Sequence, residues 1–403
     1  MANYPNFDPN YFGEVYEIRD TKEDEWEWYF DKEKFNPIYA TQPIFTKDEK
    51  GNFTQVTYGQ IREEKERMAE LKRLAIETEE EVEIPEESEK YVYKNRFGLG
   101  AYVNRNVMSL YEPGSVFKPI AMAIGLDAKE IRPNETYRED GPIEIDTGTS
   151  EKQFIHTALG VYRGLQTMTN AIEQSSNIGM AYVARKLGRE LFYKYIIDFG
   201  FGDYSDIDLT GEQKGAVTFW KKWPEAQLLT TSFGQGIAAT PIQVISAWSA
   251  LANGGGLMQP KIVKSFIKSD GEKQDIDSTI VHRVISEEAS RKITGMLVSS
   301  VENGVASPGK VEGYLVAGKT GTSQIACADS TRCRAGRYEK GAGTTITSFA
   351  GYAPISKPKF VILVKFERPR IGDNTWGSTT AAPVFKDLSQ FLLNYYNIPP
   401  DDL

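Results

Sequence analysis

The sequence predicts an α/β fold: a sheet layered with helices, together with an all-helical region. Three observations predict it. Helix signals crowd the middle of the chain, at 115–127, 158–174, 176–189, 190–199, 240–253 and 287–303. Apolar, β-branched runs close the chain, Thr344–Tyr352 and Phe360–Glu367, with turn residues between them. Residues 1–11 read as the end of a strand running into the turn Pro5-Asn6-Phe7-Asp8-Pro9-Asn10. Helices in the middle with strands at both ends are the pattern of an α/β sandwich.

Each element has its own warrant. Residues 12–96 differ in character from the rest. They open on the aromatic cluster Trp26, Trp28, Tyr29 and Phe30. Ile44-Phe45 and Phe53–Val56 flank Lys50-Gly51-Asn52, which predicts a hairpin. Ile61, Met68, Leu71 and Ala75 form one apolar stripe on a helix of about five turns. Glu63 and Arg67 add an i,i+4 pair to it. Glu77–Glu89 holds eight glutamates and no basic residue, the composition of a solvated connection. From Phe97 the sequence becomes ordinary globular sequence as far as 395, with 396–403 as a tail. A Ser-Asn cap opens the helix at 176–189, and 200–215 is Gly- and Asp-rich loop. Thr240–Asn253 is a largely apolar helix stopped by Gly254-Gly255-Gly256, and Glu287–Asn303 is amphipathic. Tyr314–Ala317 reads as a strand leading into Gly318-Lys319-Thr320-Gly321-Thr322, and Val384–Tyr395 as a closing helix.

Composition narrows the function. The chain has 403 residues, 40% hydrophobic and 26% charged, with room for a sizeable core. Its net charge of −9 argues against a nucleic-acid surface. There is no apolar run long enough to span a membrane, and Met1–Pro5 has neither the basic nor the apolar part of a signal peptide. The two histidines, His156 and His282, are far apart, and there are only two cysteines. A structural metal needs three or four such ligands at short spacings, so no metal or other cofactor is expected.

The chemistry centres on Tyr111–Pro119. A Pro113-Gly114 turn delivers Ser115 to a helix start, and Lys118 follows three residues later on the same face. A serine hydroxyl is a poor nucleophile until a base takes its proton. Unpaired N–H groups at a helix start favour developing negative charge. Ser115 and Lys118 therefore read as nucleophile and base. A lone Ser-x-x-Lys is common, however, and needs context.

Two further stretches supply it. Ser175-Ser176-Asn177 lies between helices. Its plain role is to cap the second of them. Its functional role would place Ser175 as a proton relay and Asn177 as donor to a substrate carbonyl and holder of Lys118. In the second stretch, Lys319 with the hydroxyls of Thr320 and Thr322 suits a substrate carboxylate, and Gly321 leaves room for a substrate backbone. Gly313 to Thr320 also fits the phosphate-loop pattern G-x-x-x-x-G-K-[ST]. Strand formers fill its middle and no helix follows, so the nucleotide reading is set aside.

Ser115/Lys118, Ser175/Asn177 and Lys319/Thr322, in that order, closely resemble the transpeptidase domain of class B penicillin-binding proteins, the division-type peptidoglycan DD-transpeptidases. The flanks Ser232–Gln243, Ala250–Gly255, Phe349–Pro354 and Ala381–Phe385 are similar too. The resemblance covers 1–10 and about 97–395. It implies a penicillin-binding/β-lactamase-like fold, an antiparallel sheet flanked by helices plus an all-helical subdomain. It implies that Ser115 attacks the carbonyl of a D-Ala-D-Ala bond and that an amine of a neighbouring stem peptide takes the acyl group. Penicillin would stall at the acyl stage. The backbone N–H groups of Ser115 and Thr322 would form the oxyanion hole. Lys118 would act neutral. Lowering a lysine from about 10.4 to about 7 takes roughly 4–5 kcal/mol, and burial and Lys319 push that way.

The resemblance also sets expectations about the whole. Residues 1–11 would be the second strand and turn of the sheet, the first strand being absent, and 12–96 an insertion. The partners implied are stem peptides, β-lactams, a glycosyltransferase and divisome or elongasome proteins. The place of action is the outer face of the membrane, through an amino-terminal anchor beyond this chain. Cys327 and Cys333 follow the Lys319–Thr322 stretch and would close a disulfide ring in an oxidising compartment. The alternatives are a serine β-lactamase or DD-carboxypeptidase, and an inactive scaffold or β-lactam sensor.

Overall fold

In the computed structural model the described residues are 16–18, 44–48, 53–56, 58–78, 90–93, 104–145, 153–158, 160–327, 338–339, 343–370 and 375–401. They belong to two compact units, Met1–Arg105 and Asn106–Leu403. Residues 1–11, the Lys50-Gly51-Asn52 turn, the Phe97 boundary and Cys333 lie outside the described residues.

In the first unit β1 (Tyr16–Ile18), β2 (Ile44–Lys47), β3 (Phe53–Val56) and β4 (Lys90–Tyr93) form one sheet in the order β1-β4-β2-β3. All its pairings are antiparallel. β2 and β3 are the two arms of the expected hairpin, with Ile44 opposite Val56. Helix α1 (Tyr58–Thr78) follows. Met68, Leu71 and Ala75 are less exposed than the residues between them, as the stripe requires. An ion pair of the i,i+4 kind joins Arg73 to Glu77 at 3.5 Å.

The second unit is built round α2 (Lys118–Asp127). Every residue from Lys118 to Leu126 is buried. A helix that is apolar on all sides must lie inside other elements rather than upon them. The helix expected over 115–127 begins instead as one tighter turn, Gly114–Phe117, before α2 takes over. Pro119 then occupies the first helical turn, where its missing N–H is not needed.

Two small antiparallel pairs follow, β5 (Thr136–Glu139) with β8 (Gly164–Thr167) and β6 (Ile143–Ile145) with β7 (Gln153–Ile155). The helix expected over 158–174 is thus mostly strand and loop. Only α3 (Met168–Glu173) is helical. Thr167 and Asn170 cap it reciprocally, side chain to backbone, which starts the helix there. Leu165, part of the misleading apolar pattern, is 62% exposed. Helix α4 (Asn177–Asp198) contains the two helices expected at 176–189 and 190–199, with a break at Gly188 (φ 71°, ψ 169°).

Next come α5 (Glu225–Thr231), α6 (Pro241–Ala252), the short strands β9 (Gly256–Met258), β10 (Ser265–Ile267), β11 (Lys273–Asp275) and β12 (Ile280–Arg283), and α7 (Glu287–Asn303). Thr240 caps α6 by the same reciprocal arrangement with Gln243, and both are buried. Thr240→Ala is expected to cost about 1–2 kcal/mol. A urea midpoint unchanged from that of the parent chain would refute that role for the cap.

Strands β13 (Ala317–Gln324), β14 (Thr345–Ala353) and β15 (Phe360–Glu367) form an antiparallel sheet in that order. The strand expected at Tyr314–Ala317 starts at its last residue and runs on through Lys319–Thr322. Tyr314 instead makes an isolated bridge with Val311. Helix α8 (Ala381–Tyr395) starts three residues before the expected Val384. Phe349 and Ala353 on one sheet face pack with Ala381, Ala382 and Phe385. The rings of Phe349 and Phe385 are 4.4 Å apart. Ala350 and Tyr352 on the other face join the core round α2. The sheet is therefore covered by α8 on one side and by α2, α6 and α7 on the other.

Candidate active site

Ser115 stands on a turn held from three sides. Tyr111 and Ala239 exchange backbone hydrogen bonds of 3.0 and 2.9 Å, and Gly114 N–H donates to the Gly234 carbonyl at 3.0 Å. Gly236 N–H donates to Glu112 Oε1 at 2.9 Å. From below, Trp248 Nε1 donates to the Val116 carbonyl at 3.0 Å. Segment 232–243, similar to the family but without a role in the sequence reading, is thus the support of the nucleophile turn.

The third side is β13. A Cβ on Gly321 would lie 2.3 Å from Ser348 Oγ and 2.9 Å from Val116 Cγ1. One on Gly114 would lie 2.8 Å from Ser323 Cβ. The serine turn and the Lys319–Thr322 stretch therefore meet. Gly321 was expected to make room for substrate; here its missing side chain lets the strand pack on the turn. Ladder parity orients the strand. Ile325 N–H donates to the Thr344 carbonyl, so 325 and 344 form a hydrogen-bonded pair. Thr322, three residues back, faces Thr347 in a non-hydrogen-bonded pair. Its N–H therefore points away from β14, to the edge where the serine turn packs.

Lys118 is 1% exposed and Lys319 is fully buried, not the surface lysine that a strand end would carry. Lys118 Nζ donates to the Ser175 carbonyl at 2.5 Å and to Ser175 Oγ at 3.0 Å. Ser175 reaches it from a left-handed backbone conformation (φ 55°). Asn177 was expected to hold Lys118 by its amide oxygen; Lys118 Nζ goes to Ser175 instead, and the Asn177 amide nitrogen donates to the His156 carbonyl at 2.8 Å. Lys319 Nζ donates to the Thr320 carbonyl at 3.0 Å. Thr322 Oγ1 accepts from Gly377 N–H at 3.1 Å. Ser115 itself remains partly accessible.

Burial holds the Lys118 ammonium well below the ordinary lysine range; the Lys319 charge pushes the same way, and Glu139 opposes it. Burial brings Lys319 down to about 7. Cys327 is disulfide-bonded. Sequence reasoning missed Glu139, a buried carboxylate on β5. Its only signal was the alternation that turns Tyr137 and Glu139 inward together.

A partly accessible serine at the head of a buried helix, a buried lysine one turn on, and a sheet edge packed on the same turn are set in a mixed α/β fold of the penicillin-binding class. The chain belongs to the penicillin-binding protein transpeptidase family, class B: the family's transpeptidase domain matches residues 74–390. It is 36% identical to stage V sporulation protein D of Bacillus subtilis, over 74% of this chain and 44% of that protein. It is 32% identical to the peptidoglycan D,D-transpeptidase FtsI homolog of Mesostigma viride, over 75% of this chain and 52% of that one. The chain thus spans about half the length of these relatives. Among solved structures, penicillin-binding protein 3 of Mycobacterium tuberculosis superposes with a TM-score of 0.65 at 28% identity, covering 76% of this chain and 66% of the other. That protein is also known in complexes with aztreonam and ampicillin.

Proposed function

We propose that this chain carries the transpeptidase centre of a peptidoglycan D,D-transpeptidase. Ser115 Oγ attacks the carbonyl of the terminal D-Ala-D-Ala bond, and its proton passes to neutral Lys118. Ser175, bonded to Lys118 Nζ, relays that proton to the departing amine. The C–N bond breaks, D-alanine leaves, and an ester remains on Ser115. An amine of a second stem peptide then takes the acyl group and regenerates the hydroxyl. The N–H groups of Ser115 and Thr322 stabilise the oxyanion; removing one such donor typically costs about 10²–10³ in rate. Asn177 orients the substrate amide, while Lys319, Thr320 and Thr322, on the strand that Gly321 lets pack against the turn, bind its carboxylate. Stem peptides and β-lactams are the ligands of this centre. Its partners are a glycosyltransferase and divisome or elongasome proteins, and its place of action is the outer side of the membrane.

One observation carries this reading: Lys118, buried and disposed to be neutral, lies one helical turn from a partly accessible serine and is held by Ser175. Incubation with a fluorescent penicillin, followed by denaturing electrophoresis and peptide mass analysis, tests it. The expected result is one long-lived adduct on the peptide containing Ser115. Rapid repeated hydrolysis would identify a β-lactamase, and folded protein without an adduct would leave only a scaffold.

A further inference from the structure

Behind the Ser175–Asn177 turn lies a carboxylate that the reaction above does not use. Glu139, at the end of β5, is 1% exposed. Its Oε2 accepts from Tyr137 OH at 2.9 Å and from Ser176 Oγ. Ser176 Oγ already accepts from Gly179 N–H at 3.0 Å, so its own proton goes to Glu139. Two hydroxyls thus donate to one carboxylate oxygen. Among the described residues no cation lies within ion-pair distance of it.

The position of this charge is informative. Ser176 separates Ser175, which holds Lys118, from Asn177, which holds the His156 carbonyl. Ser175 sits at φ 55°, a conformation a serine keeps only when its surroundings enforce it. The clamp on Ser176 is such an enforcement. Tyr137 completes it: a Cβ on Gly179 would lie 2.9 Å from the Tyr137 ring, so the ring seats directly on the first turn of α4. The charges acting on Lys118 are Lys319 from β13 and Glu139 from β5. Helices α4, α6 and α7, which pack on α2, contribute no buried charged side chain. The Glu173 carboxylate of α3 is taken by Asn170 and Ser299. Arg163 acts electrostatically on Tyr137.

We propose that Glu139 is a positioning residue of the acyl-transfer site: through Ser176 it fixes the Ser175–Asn177 turn that holds Lys118, and its charge acts on Lys118. This rests on the acyl-serine reading above. The test is the rate of fluorescent-penicillin acylation as a function of pH. A carboxylate near Lys118 raises the pH at which that lysine becomes neutral. In Glu139→Gln the acid limb of the profile should therefore move about one pH unit lower. Tyr137→Phe, which keeps the charge, should leave the limb in place. In Glu139→Ala the turn loses its clamp, and acylation should fall by about 10²-fold. A parental limb in Glu139→Gln would overturn the proposal. Should that variant not fold, Glu139→Asp decides: charge kept and reach shortened predict an unmoved limb with a lower plateau, and any other outcome refutes it. If the parent chain is not acylated at any pH, the acyl-serine reading itself has failed, which is a different result.

Discussion

Lys118→Met is expected to slow acylation of Ser115 by about 10²–10⁴-fold, the usual contribution of a general base, while leaving the folded chain more stable. The two effects have one cause. Lys118 sits where water cannot solvate an ammonium, with a second buried lysine acting on it. Methionine fills a similar volume without a charge. Apolar replacement of buried ionic groups is often stabilising by about 1–4 kcal/mol. The Ser175 carbonyl loses its donor, but Ser175 is only partly buried, so water can replace it. Stopped-flow acylation and urea unfolding measure the two effects separately. A slower variant that is also less stable would show that Lys118 holds the structure rather than performs the reaction.

Lys319 adds a pH window to this. Its folded value of about 7 lies below the 10.5 it has when unfolded. Between those limits the unfolded chain holds a proton that the folded chain lacks, so this group makes stability rise with pH across the window. Below about 7 both states are protonated and its contribution is constant. The full span is worth roughly 5 kcal/mol at most. Lys319→Met should remove that slope, so its difference from the parent in unfolding free energy should shrink steadily from pH 7 to about pH 10.

How much of this was legible in the sequence depended on where each physical cause lies. Helix α7 was legible to the residue because its signals are local: Ser286 caps it, acidic residues fill its first turn, and Gly304 follows its end. The motif residues were legible as chemistry because Ser115, Lys118 and Lys319 are residue types with few plain reasons to share a turn or a strand. The stretch 158–174 was misread because its apolar spacing imitates a helix, while its real constraint, pairing of Gly164–Thr167 with Thr136–Glu139, lies some thirty residues away. Glu139 was not legible for the same reason. Nothing near it in the chain shows that Ser176, 37 positions on, will donate to it. Nor does a glycine-rich stretch disclose which glycine meets backbone.

Two glycines of that kind separate conformational strain from damage to the site. Gly234 and Gly236 both have left-handed backbones, φ 79° and 83°. For Gly236 an added Cβ would find its nearest neighbour, Thr230 Oγ1, at 3.6 Å, so Gly236→Ala should cost only the strain, about 1–2 kcal/mol. For Gly234 the added Cβ would lie 2.3 Å from the Gly114 carbonyl oxygen and 2.7 Å from its nitrogen. These are backbone atoms of the turn carrying Ser115, and no side-chain rotation relieves the clash. The turn must move, and the hydrogen bond from Gly114 N–H to Gly234 must stretch. Gly234→Ala should therefore add an overpacking cost of about 1–3 kcal/mol to the strain. Acylation should fall by about 10²-fold through displacement of Ser115, whereas Gly236→Ala should acylate at nearly the parental rate. Equal losses in the two variants, in either measurement, would mean that Gly234 does not position the nucleophile. A rate lost only at Gly234 would instead locate its contribution in the backbone contact between 114 and 234, since the two variants share the same strain.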